Sequence, residues 1–139
     1  MTGSDYMVEP VFRLDDFKLE EGKPEIYEHV SAGSGHKIHV HFCGNCGTTL
    51  FHLFERFEDC VGVFPGTFDN PNWFERNPET VDYVFLESAT RGTIIPPGYR
   101  TFPGHLINLE GELLEPQVLD DFHVIDARVE NNTSNTSDD

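Results

Sequence analysis

Cys43 and Cys46 flank Gly44-Asn45 and are followed by Gly47, a Cys-x-x-Cys-Gly turn. Two thiolates on so short a turn can reach one metal ion at about 2.3 Å each, which is half of a tetrahedral zinc site. Structural zinc takes four protein ligands. The third and last cysteine, Cys60, lies fourteen residues beyond Cys46 in an apolar run. The donors that would complete the site are therefore histidines, residues of another chain, or absent. Two other readings stand beside zinc: a pair of free buried thiols, or a redox couple. A thioredoxin-type couple is followed by a helix, whereas Thr48–Phe54 has the apolar, β-branched character of a strand.

Histidines near the turn are the first place to look for further donors. His39, His41 and Cys43 are spaced at i, i+2 and i+4, so on a strand all three project from one face. That arrangement offers His-Cys-Cys ligation if the strand bends at the turn. The plainer reading, preferred here, is a solvated strand face carrying imidazoles. His36 and His52 are weaker candidates for the same region, and His29, His105 and His123 carry no ligand pattern. Cys60 precedes Val61 and Val63 and reads as a buried structural thiol. Trp73, Phe64 and Phe68 read as core or pocket wall. The acidic stretches Asp15–Glu21 and Glu110–Glu115 read as solvated turns, and Arg91 and Arg100 as partners in structural ion pairs.

These residues need a scaffold, and the sequence predicts a β-rich one. Short strand-like segments recur between Gly, Pro and Asp/Asn punctuation: Val8–Leu14, Glu25–Val30, His36–Phe42, Thr48–Phe54, Cys60–Phe64, Val81–Leu86 and His105–Leu109. Gly33-Ser34-Gly35 predicts a hairpin loop. No helical period persists over ten residues, and the best short-helix candidate is Asn70–Arg76. Twelve Phe residues among 139 suggest an aromatic β interior. We read residues 1–128 as a single domain and 129–139 as a polar, disordered tail.

Charge and composition narrow the partners. The formal net charge is −16, from 25 acidic against 9 basic residues. Such a surface repels phosphate backbones and anionic lipid, so neither nucleic acid nor a membrane is expected as a partner. No apolar run approaches the roughly 18 residues that span a bilayer. A polar, acidic N-terminus and three cysteines point to a reducing, cytoplasmic setting.

Several segments together resemble the glutathione-dependent formaldehyde-activating enzyme (GFA), or centromere protein V, domain family. They are Asp15-Asp16-Phe17-Lys18-Leu19, Gly22-Lys23-Pro24 before Tyr27, the stretch His41–Leu50 that contains the cysteine turn, and Gly66-Thr67-Phe68-Asp69 followed by Asn70-Pro71-Asn72-Trp73. The resemblance implies a small, twisted antiparallel β-tent around zinc. It implies two metal sites: a closed structural one, and an open one held by a central Cys-x-Cys-x-x-Cys where thiol–aldehyde chemistry occurs. It assigns Cys43 and Cys46 to the structural zinc.

None of the three open-site cysteines is in this sequence. Thr2-Gly3-Ser4-Asp5-Tyr6 is similar to the segment that follows the central triplet in relatives. The resemblance therefore implies roughly 50 further residues upstream in a full-length family domain, whose usual size is about 100–150. Two functions follow as expectations. One is a zinc-dependent carbon–sulfur lyase acting on a thiol–aldehyde adduct of the S-hydroxymethyl type, with negligible activity for this chain alone because the open-site ligands are missing. The other is a noncatalytic zinc-binding or assembly module, with a homodimer sharing one zinc through Cys43 and Cys46 of each chain.

Overall fold

The computed structural model describes residues 3–70 and 72–126, and the polar tail and Pro71 lie outside the described residues. The molecule is mainly β, with pairing that is antiparallel except at one ladder. It divides into two compact units, Met1–Phe74 and Glu75–Asp139.

The first unit is one five-stranded antiparallel sheet. Its strands are β1 (Val11–Arg13), β2 (Glu25–Val30), β3 (Lys37–Phe42), β4 (Thr49–Phe54) and β5 (Cys60–Val63), in the spatial order β1-β5-β4-β3-β2. Glycine and charge punctuation place the turns between them. The β2–β3 loop closes through Ser31 N–H to the His36 carbonyl at 2.9 Å, with Gly35 at φ +73°. A left-handed residue there favours glycine because a Cβ would meet the backbone. The β4–β5 turn is anchored where the Glu55 carboxylate accepts the Lys37 amide at 2.8 Å. That hydrogen bond is the leading reason the Glu55 carboxyl lies below its usual pKa.

Register decides which side chains share a face. His41 pairs with Phe51, and Val40 pairs with His52, which pairs in turn with Gly62. Because side chains alternate, His41, Phe51 and Val61 lie on one face while Val40 and His52 lie on the other. All five are buried, so both sides of the central strands are covered. On the first face the Phe51 ring sits 4.8 Å from Phe17 and 4.3 Å from a stacked His41. On the second, the rings of Phe64 and Phe54 meet His52 edge-on.

The second unit uses very short strands: β6 (Asp82–Tyr83), β7 (Ile94–Ile95), β8 (Arg100–Thr101), β9 (Gln117–Val118) and β10 (His123–Val124). β6 and β8 pair in parallel, β8 and β9 antiparallel, and β7 with β10 antiparallel. Among its described residues Ile95, Thr101 and Phe102 are buried. The expected ion pair of Arg100 is present: its guanidinium grips Asp82 through two hydrogen bonds of 2.7 and 3.0 Å. Arg91 is exposed.

Three expectations need correction. His105–Leu109 forms no strand, only an isolated bridge from Ile107 to Leu113, because the His105 ring accepts the Ile107 amide and curls the segment. The described residues of Asn70–Arg76 make a turn, with the Asn70 side chain accepting the Asn72 amide, a local bond that competes with helix. Trp73 is 55% exposed; it leans on Phe12 and Phe68 from outside rather than filling a core.

Candidate metal centre

β3 and β4 are joined by the cysteine turn, and a register shift between His41 and Phe42 sets it off from the regular ladder. The Cys43 amide donates to the Thr48 carbonyl and the Gly47 amide to the Cys43 carbonyl, both at 2.8 Å. Gly47 has φ +75°, which is why the residue after the second cysteine is glycine. These bonds fold the six residues Cys43–Thr48 back on themselves and hold both sulfurs on one tight knuckle. Cys43 is half-buried, and residues 44–48 are all exposed.

The surroundings favour a thiolate at Cys46. The Thr48 hydroxyl lies 3.1 Å from the Cys46 sulfur. That contact, with the Thr48 backbone and the Cys43 sulfur, holds the Cys46 thiol below its ordinary pKa. A thiolate is the form that binds metal. The reading of two buried thiols is therefore set aside by exposure, and a thioredoxin-type couple by the strand that follows. Cys60 differs: half-buried and beside Asp59, its thiol is pushed up, first by burial and then by the Asp59 charge.

The histidines do not join the cysteines. His39 faces Glu28 across the β2–β3 ladder, with Nδ1 3.6 Å from the carboxylate. His41 is only 7% exposed, stacked on Phe51, with Nδ1 3.0 Å from the His39 carbonyl. Burial lowers its pKa. The expected solvated face thus holds for His39 but not for His41, whose ring is core. His36 sits beyond the far end of β3 and faces Glu55 at 3.5 Å. His52 points into the opposite face of the sheet. There its Nδ1 lies 2.6 Å from a Glu9 carboxylate oxygen.

The His52–Glu9 pair is a site the sequence did not reveal. His52 is fully buried and the Glu9 side chain 16% exposed. Their close atoms are poorly aligned, and neither His52 nitrogen nor Glu9 Oε1 has a well-formed hydrogen bond among the described residues. The Glu9 side chain lies directly across Gly62, where any Cβ would overlap it. The glycine at the register position of His52 was the available signal: a strand glycine marks close approach of another group.

Among the described residues, no three His, Cys, Asp or Glu side chains converge on a point that could hold a metal ion. The donor chemistry at the knuckle suits zinc, but two thiolates are half of the four ligands a structural zinc requires. The described residues alone therefore do not fit a closed zinc site.

The glutathione-dependent formaldehyde-activating enzyme family model matches residues 1–86, more than half of the chain. The chain belongs to the GFA family. No curated protein and no solved structure matches it. The GFA match spans all of the first unit, including the knuckle and the His52–Glu9 pair, and ends at Leu86 in the second. Among the described residues no helix is long and apolar enough to cross a membrane.

Proposed function

We propose that this GFA-family chain works as a zinc-binding β module in which Cys43 and Cys46 supply half of a structural metal site. The observation that carries this reading is the knuckle itself: two sulfurs on one hydrogen-bonded turn, the Thr48 hydroxyl 3.1 Å from the second, and no third donor among the described residues. Zinc bound there would cross-link the β3–β4 turn. No reacting group can be placed on it, because a catalytic zinc needs three protein ligands and an open position. The test is zinc retention by the reduced chain in competition with a chromophoric chelator. Retention in the wild type and its loss in Cys43→Ser supports the reading; equal retention in both sinks it.

The family match supports a second reading, a carbon–sulfur lyase acting on the adduct of a thiol such as glutathione with an aldehyde such as formaldehyde. For that chemistry the described residues offer no ligand set of their own. Mixing the purified chain with glutathione and formaldehyde, and following adduct formation by NMR, separates the two. The expected rate is that of the uncatalysed reaction. Acceleration that a chelator removes would favour the lyase.

A further inference from the structure

We infer that β2 is a docking edge for an extended, basic polypeptide segment, which adds to the five-stranded sheet as a further strand. The inference is independent of the cysteine turn and of any metal.

β2 (Glu25–Val30) ends the order β1-β5-β4-β3-β2 and has a described neighbour on one side only. Register shows which of its backbone groups are left over. Ser31 N–H donates to the His36 carbonyl and Glu55 N–H to the Lys37 carbonyl, so successive residues of β3 bond alternately to β2 and to β4. Tyr27 pairs with Val40 and His29 with Ile38, and by this alternation both turn their backbone groups to β3. Ile26, Glu28 and Val30 turn their N–H and C=O groups outward. Such a row is a template for another strand. The opposite edge differs. β1 has three residues, follows Pro10 and carries Arg13, which are the usual ways of blunting an edge. β2 has six residues and no proline, lysine or arginine.

Side chains say what kind of segment fits. Ile26, Tyr27 and Val30 are 57, 56 and 57% exposed, with Ile26 and Val30 on one face of the sheet and Tyr27 on the other. β-Branched or aromatic residues opposite them cover that surface. Glu25 and Glu28 stand among them, both exposed. The Glu28 side chain remains 53% exposed although Lys37 Nζ lies 3.2 Å away. Lysine or arginine opposite the two carboxylates completes the pattern. A second copy of β2 does not complete it. The antiparallel pairing that sets Ile26 against Val30 also puts Glu28 opposite Glu28, a destabilising like-charge pair, between chains of −16 each. Charge thus selects a cationic partner over a copy of this chain.

The probe is a fluorescein-labelled peptide containing Val-Thr-Lys-Phe-Val-Lys. Aligned antiparallel, it sets apolar residues against Val30, Tyr27 and Ile26 and lysines against Glu28 and Glu25. Anisotropy with the 139-residue chain should rise saturably, and amide exchange at Ile26, Glu28 and Val30 should slow in the complex. The same peptide with glutamate for both lysines should bind at least about tenfold more weakly, and Glu25→Lys/Glu28→Lys should reverse that preference. Ile26→Pro removes only an outward N–H, which an edge strand tolerates. With unchanged circular dichroism it should abolish binding. Equal binding of the two peptides, binding that leaves the three amides unprotected, or no binding of the basic peptide overturns the inference. So does a chain that sediments as a dimer and becomes a monomer in Ile26→Pro, since a second copy then occupies the edge.

Discussion

The Cys43–Cys46 knuckle and the His52–Glu9 pair lie in the same sheet and are both made of residue types that bind metals, yet they are built for opposite ends. The knuckle is at the end of β3 and β4, open to solvent, its polar atoms held by turn hydrogen bonds. The pair is on β4 and the segment before β1, with the His52 ring buried against Phe64 and Phe54 and the Glu9 side chain only 16% exposed. Ligand-type residues at a surface turn can serve chemistry. The same types under an aromatic cover serve the fold, because a buried polar group is tolerated only beside a partner. Here the partner ties the N-terminal segment to the sheet.

The largest way to break that contrast is at the buried pair. Removing one partner of a buried polar contact leaves the other unsatisfied at a cost of about 1–3 kcal/mol, so Glu9→Ala should lose about that much in urea unfolding. Gly62→Ala forces the Glu9 side chain aside and should cost about 1–3 kcal/mol, the usual range for overpacking. Stabilities within 0.5 kcal/mol of wild type in both variants, about the scatter of surface substitutions, would mean that the pair does not hold the segment.

A smaller effect should appear with pH. Burial, with His39 and His52 nearby, lowers the His41 pKa below the ordinary 6.5. In the unfolded chain His41 takes up a proton as pH falls through about 6.5, while in the folded chain it does so only at lower pH. The unfolded state then binds more protons, and stability falls with pH below that point. His41→Phe, which keeps a ring against Phe51, should flatten the acid limb of a stability–pH profile; an unchanged limb would place the dependence elsewhere.

The thiols should separate by rate. At neutral pH, iodoacetamide should modify Cys46 well before Cys60, since one thiol is exposed and lowered and the other half-buried and raised. Thr48→Val should slow Cys46 by removing the hydroxyl at its sulfur. Peptide mapping over time checks both, and equal rates at the two thiols would contradict the geometry.

The smallest expected change is in the metal-free stability of Cys43→Ser/Cys46→Ser. Both positions are on a surface turn, and such substitutions stay within about 0.5 kcal/mol. A loss of 2 kcal/mol or more, the size seen on emptying a core position, would show that the turn carries the fold and not only a ligand.

The first unit was largely legible in the sequence, and the second was not. Glu25–Val30 was read with the observed bounds, and β3, β4 and β5 within a residue at each end, because alternating apolar residues between glycine and charged turns leave few other solutions. In the second unit β7 to β10 went unread. Strands of two residues have no period to detect, and their pairing joins positions as far apart as Ile94 and Val124. Of the candidate residues, Cys43 and Cys46 stand out by spacing alone, whereas nothing in the sequence around Glu9 marks it.

By itself, then, the sequence determined a β-rich chain and a two-thiolate turn at a strand end, because side-chain alternation and glycine conformations are local properties of the chain. Tertiary structure alone decided that His41 stacks in the core, that His39 turns to Glu28, and that His52 meets Glu9 over Gly62. Each depends on strand register, and register is set by pairings between residues distant in sequence, which fix the face on which each imidazole is buried.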